Sequence, residues 1–274
     1  IIKEYANLVK KKTGGAIQFK IYPQTKGDEN TITKYLRVDK LQAAGFMGPG
    51  LGAIYPAVRV LEQPMLFRSY EEMDSVTEAL WPYLEQKFDE AGYVLLIRAE
   101  TGFVNIFSSI PVDSTDDFKG VKMWVLEGDP VSIGYAQELG IVPVYLTLPD
   151  VLTSLQTNRI DACYAPPLAA VSMQWHTKVK YYTAIPLTNS VGAVVISKKV
   201  FEVLTDEQRQ MMKKYGKAAS RKMLQSVRRD NARAYAELEK YGIQKVTVAD
   251  KEYEKFENAG VKVRKSMVGI LYDK

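Results

Sequence analysis

Between residues 118 and 167 the hydrophobic positions fall into short runs separated by amphipathic stretches, and glycine or proline closes each run. Residues 121–126 are too few for a helix and stop at Gly128-Asp129-Pro130, which predicts a buried parallel strand. A helix over 132–139 ends at Gly140, and a second strand covers 142–146. A second helix over 151–157 and a third strand over 160–164, halted by Pro166-Pro167, complete the series. Strand and helix in alternation predict a parallel α/β lobe, whose ligands gather at the carboxyl ends of its strands. Segments 124–129 and 164–167 are then the tips facing a crevice.

Around this block the same pattern predicts a first helix closed by Thr13-Gly14-Gly15, a strand over 17–22, and a helix opened by Gly27-Asp28. A strand over 41–47 leads into Gly48-Pro49-Gly50-Leu51-Gly52-Ala53, formally a G-x-G-x-x-A match. A dinucleotide fingerprint needs that loop to open onto a continuous helix, which Pro49 and Pro56 interrupt, so a loop at the crevice mouth is expected. Ser69 and Glu72 form a capping box for a helix over 70–91, with Trp81, Leu84 and Phe88 on one core-facing stripe. A strand over 93–98 precedes the first crossing between lobes, near residues 101–105; a second crossing is expected near 187–190, before a strand over 193–197. Thr205 and Gln208 make another capping box, and the helical pattern runs on to Tyr241-Gly242. About 36 residues at 1.5 Å rise would span roughly 54 Å, so the pattern is either two helices kinked near Asp230-Asn231 or one very long helix. A strand over 244–248 and a helix over 250–271 finish the chain.

Composition narrows the class. The 274 residues, 46% hydrophobic and 25% charged, suit an ordinary globular protein with one large domain or two lobes. Net charge is +5, and the basic runs 10–12 and 228–229 read as solvated helix faces, without the concentrated stripe and stacking aromatics that nucleic acid would want. Cys163 is the single cysteine, so no intramolecular disulfide forms, and no run of about twenty apolar residues crosses a membrane. His176 is the single histidine, and G-x-S-x-G, H-E-x-x-H and Walker patterns are absent, so the chain is not expected to be an enzyme.

The order Lys119-Gly120-Val121-Lys122, Leu139-Gly140, Pro143-Val144, Leu155-Gln156-Thr157 and Asp161 to Pro166 resembles the solute-binding proteins of TRAP transporters, the DctP family. Lys12-Thr13-Gly14-Gly15 and Glu62-Gln63-Pro64-Met65-Leu66-Phe67 extend the likeness. The resemblance implies an α/β, two-lobed, periplasmic-binding-protein-like (type II) fold with a long helix spanning both lobes. Lobe I would hold 1–101 and 190–229 and lobe II 102–189 and 230–274, with the solute in the crevice between them. It implies a periplasmic location, a membrane permease as partner, solute capture by lobe closure, and a signal peptide and first strand preceding residue 1. Relatives that bind carboxylates hold them with an arginine two residues after the second lysine of Lys119-Gly120-Val121-Lys122, where this chain has Trp124. An aromatic face with one N–H donor thus replaces a bidentate anion clamp. Trp124, Glu127, Asp129, Tyr164, Asn189, Arg98 and Tyr55 are the candidate ligand contacts, with Arg98 or Arg68 as a substitute anion anchor. Asp129 is equally suited to cap the next helix. No cofactor is expected, although Glu127 and Asp129 could help hold a cation that bridges the solute. An ABC-type periplasmic binder, which lacks the long helix, is the alternative, and a small-molecule enzyme using Cys163 and His176 a more distant one.

Overall fold

The computed structural model describes residues 1–22 and 28–273, so Gly27, expected to open the second helix, lies outside the described residues. Its helices are α1 (Ile2–Lys12), α2 (Glu29–Arg37), α3 (Gly48–Gly52), α4 (Tyr70–Glu90), α5 (Pro130–Glu138), α6 (Val151–Gln156), α7 (Pro167–Ser172), α8 (Lys198–Glu202), α9 (Asp206–Lys240) and α10 (Asp250–Ser266). The strands are β1 (Ala43–Met47), β2 (Tyr93–Ser108), β3 (Lys122–Leu126), β4 (Val142–Leu146), β5 (Ala162–Ala165), β6 (Tyr181–Ser197) and β7 (Gln244–Val246). Residues 17–22, expected as a strand, are irregular. The chain divides into two compact units: Ile1–Arg59, Ser75–Thr101 and Val191–Val227 form unit 1, and Val60–Asp74, Gly102–Ser190 and Arg228–Lys274 form unit 2. Segment Val60–Asp74, assigned to the first lobe on sequence, belongs to unit 2.

In unit 1, β1 runs antiparallel to the end of β6, from Ala43 opposite Ile196 to Met47 opposite Gly192. Tyr5 and Val9 of α1 pack with Leu96 and Ile97 of β2 and with Met212 and Ala219 of α9. Gly216 lets α9 lie directly on β2, because an added β-carbon there would fall on the Leu96 carbonyl oxygen. The Thr205–Gln208 box forms in both directions: Gln208 N–H donates to Thr205 Oγ1 and Thr205 N–H to Gln208 Oε1. The glycine-rich stretch 48–53 is a one-turn helix rather than a loop. Its N-terminal N–H groups are taken by a side chain from far away in sequence: Met47 N–H and Gly50 N–H donate to the two Glu29 carboxylate oxygens at 2.6 and 2.7 Å. A phosphate at this turn would compete with Glu29 for those same donors, which argues against the nucleotide reading. Burial raises the Glu29 carboxyl above its ordinary pKa despite these bonds. Glu29→Gln is expected to leave one N–H facing an amide nitrogen, costing about 1–2 kcal/mol in a denaturant melt.

Unit 2 contains the predicted α/β block. β3 is parallel to β4, from Lys122 opposite Val142 to Leu126 opposite Leu146, and parallel to β5 on its other side. β5 pairs antiparallel with β2 from Asn105 opposite Ala165 to Ser108 opposite Ala162, and β7 pairs parallel with β6. One apolar layer, with Val121, Met123 and Val125, packs under α5 and α10; another, with Trp124, Cys163 and Trp175, lies under α6 and α7. Helix α9 continues unbroken through Asp230-Asn231 for 35 residues in all, against the two-helix reading. Buried Asn231 accepts from Leu168 N–H at 3.0 Å, so its side chain bonds outside its own helix instead of breaking it.

Candidate functional site

The parallel strands β3 and β5 bring their carboxyl ends side by side in unit 2, and there Trp124 and Tyr164 stack with ring centroids 4.6 Å apart at 12°. Trp124 is only 4% exposed, because β3 lies between two strands and is covered on both faces. Its indole N–H donates to Leu146 O at 3.0 Å, and its ring meets Trp175 edge-on. The expectation of an indole N–H offered to a solute is corrected by that bond: the donor is spent inside the core. Trp124→Phe keeps an aromatic ring but leaves Leu146 O without this donor, and a melting experiment should show a loss of about 1–2 kcal/mol. The Tyr164 hydroxyl accepts from Leu126 N–H at 3.2 Å, which ties the end of β5 to the last residue of β3.

Beyond Leu126 the chain turns through exposed Glu127 and Gly128, whose φ of +76° only glycine adopts at low cost. Asp129 then accepts from Ser132 N–H at 3.0 Å as the N-cap of α5, so the capping role is present. Asp161 fixes the other end of β3, accepting from Lys122 N–H at 3.1 Å while its own N–H donates to Lys122 O. Arg68 is held by Glu257 through contacts of 2.6 and 2.9 Å and lies over the Tyr253 ring, so it is engaged as an ion pair within unit 2. Arg98 and Tyr55 belong to unit 1. There the Arg98 N–H donates to Ser220 Oγ, and the Tyr55 and Tyr83 hydroxyls lie 3.0 Å apart.

Two buried asparagines in unit 2 behave differently. Asn105 spends its whole carboxamide on the protein, donating to Thr183 O and Ile185 O and accepting from the Tyr235 hydroxyl. Asn189, 1% exposed on β6, has neither its Nδ2 nor its Oδ1 bonded to any described residue. Leaving a buried amide unpaired costs about 1–3 kcal/mol, which sets Asn189 apart from Asn105. The segment beside it is fixed by main-chain contacts, with Met65 N–H donating to Leu187 O and the Thr188 hydroxyl to Glu62 O. Gln63 lies in that segment and is 1% exposed. Sequence alone does not single it out, because nothing local distinguishes it from any polar residue before a proline.

Cys163 is fully buried, and burial drives its thiol far above the ordinary range, which disfavours the thiolate. His176 stacks on Tyr241 at 4.3 Å, with Nδ1 3.3 Å from Ala170 O. Among the described residues, no three His, Cys, Asp or Glu side chains gather as a metal-ion site, and no helix is long and apolar enough to cross a membrane.

The same chain has clear relatives among known proteins. The family model for bacterial extracellular solute-binding proteins, family 7 (DctP), matches residues 1–269. The chain is 24% identical over 216 residues to the C4-dicarboxylate-binding periplasmic protein DctP of Rhodobacter capsulatus, covering 77% of this chain and 64% of that one. It therefore spans a little under two thirds of that relative's length. A TRAP periplasmic solute-binding protein from Sulfitobacter sp. NAS-14.1, solved with β-D-galacturonate, superposes with TM-score 0.89 at 22% identity, covering 98% of this chain and 89% of that one. DctP7 of Bordetella pertussis, an extracytoplasmic solute receptor binding pyroglutamic acid, gives TM-score 0.89 at 23% identity over 97% and 88%. The fold is the mixed α/β fold of these receptors.

Proposed function

This chain belongs to the bacterial extracellular solute-binding proteins of family 7, and from that premise we propose that it is the periplasmic solute receptor of a TRAP-type secondary transporter. Its solute is a small organic acid that also carries hydroxyl or carbonyl oxygens, and its partner is a membrane permease. The unpaired carboxamide of Asn189 carries this reading. Its NH₂ can donate to a carboxylate or carbonyl, and its oxygen can accept from a hydroxyl. Relatives named for C4-dicarboxylate, galacturonate and pyroglutamate support an acid as the solute class. Trp124 stands where the family resemblance expects an arginine, so no bidentate cation is supplied from that position, and Arg98 is the proposed substitute. Asn189 is the proposed polar contact in unit 2; Tyr164, Glu127 and Asp129, at the carboxyl ends of β3 and β5, and Arg98 and Tyr55 in unit 1 are further proposed contacts. The single 35-residue α9 supports the TRAP reading over an ABC-type binder. No resident cofactor and no catalytic step form part of the proposal.

A thermal-shift screen tests it directly, using uronates, pyroglutamate, a C4-dicarboxylate, branched and aromatic acids, and cationic amines. At least one oxygen-bearing acid should raise the melting point, since a solute at 100 times its Kd adds about 2.7 kcal/mol to stability. A panel in which only the amines raise it would overturn the acid reading.

A further inference from the structure

Charge is divided unevenly between the units. Unit 1 carries 20 basic against 12 acidic residues, net +8, whereas unit 2 carries 17 against 20, net −3. The excess is concentrated on α9, where the 22 residues from Gln208 to Arg229 contain 8 basic residues and no acid. Within unit 1, Lys213, Lys217 and Arg221 recur every fourth residue, with Lys214 and Lys222 beside them, and all five are exposed. Met212, Gly216 and Ala219 on the opposite side are buried, so the five cations are spread over the solvent-facing half of the helix. Helix α1 lies against α9, joined by Tyr5 Oη to Met212 O and by Lys222 to Glu4 at 2.6 Å, and adds exposed Lys10, Lys11 and Lys12.

We propose that this basic face of unit 1 is a docking surface for anionic phospholipid headgroups. The other exposed side chains on that half of α9 are Gln210, Ala218 and Gln225, and Leu8 is the one exposed large apolar side chain of α1, so the face offers no aromatic and little apolar anchorage. Protein interfaces are built on such anchors and are depleted in lysine, yet four of the five cations here are lysines. An anionic bilayer asks only for several like charges within a Debye length of about 8 Å, and it gains with each one. The surface is distinct from the proposed solute contacts. It would hold the receptor near the membrane whichever acid it carries.

Co-sedimentation of the full chain with vesicles of phosphatidylglycerol and phosphatidylcholine in equal parts tests this, beside vesicles of phosphatidylcholine alone. Binding to the anionic vesicles should be roughly tenfold stronger and should fall steeply with added salt. The surface variant Lys213→Gln/Lys217→Gln/Arg221→Gln should lose most of that binding. A control, Lys178→Gln/Lys251→Gln/Lys265→Gln, removes the same charge from exposed positions of unit 2 and should bind as the wild type does. Equal binding to both vesicle types would overturn the proposal, as would an equal loss in the control. Retention on immobilised polyglutamate without vesicle binding would also overturn it, in favour of an acidic protein.

Discussion

Replacing Asn189 by leucine is expected to weaken solute binding roughly 100-fold or more while leaving the fold at least as stable as before. The two halves of that result separate a contact residue from a structural one. Leucine keeps the four branched heavy atoms of the asparagine side chain, so the site stays filled. The substitution removes a buried amide that no described side chain or backbone group satisfies, and the folded chain alone loses no hydrogen bond. With solute present, two or three bonds to a charged or polar ligand disappear, at about 1.5–3 kcal/mol each when the ligand group is charged. Calorimetric titration and a denaturant melt on the same preparation read both quantities. Asn105→Leu is the contrasting variant: its amide holds Thr183, Ile185 and Tyr235, so it should lose stability first. An Asn189→Leu protein that binds within a few-fold of wild type would remove Asn189 from the site.

The second large effect is on stability. Gly216→Val should cost about 3 kcal/mol, near the upper end for overpacking, and lower the melting point by roughly 6–12 °C. Losing a glycine from mid-helix normally gains up to about 1 kcal/mol, so helix propensity works the other way and is outweighed. The clash is with backbone: the new β-carbon meets Leu96 O of β2, and a strand carbonyl cannot swing aside as a side chain can. Ala218→Val places the same side chain two residues away on the exposed face and should change stability by no more than about 0.5 kcal/mol. Equal melting points for the two variants would mean that α9 does not rest on β2 through Gly216.

How much of this is legible in the sequence depends on whether the deciding contact is local. The β3–α5–β4–α6–β5 order can be read because each short apolar run ends at its own glycine or proline. Helix α3 cannot, since most of residues 48–52 are poor helix formers and the carboxylate that caps the turn belongs to Glu29. On sequence β2 and β6 read as short strands. Polar stretches around Glu100-Thr101-Gly102 and Thr188-Asn189-Ser190 break the apolar pattern where each strand passes from one unit to the other. The direction of Trp124 is hidden because Met123, Trp124 and Val125 are all buried, so strand alternation carries no signal in a strand covered on both faces. Asn189 stands out in the sequence only through resemblance; its physical distinction, an amide with no bond to a described residue, exists only once the chain is folded.

Native mass spectrometry of the purified protein, with extraction and identification of the small molecule it carries, reads the solute itself. One organic acid with a further hydroxyl or carbonyl oxygen is expected per wild-type chain, taken up from the acid panel if none co-purifies, and none on Asn189→Leu. A bound amine, or the same acid retained equally by wild type and variant, would contradict it.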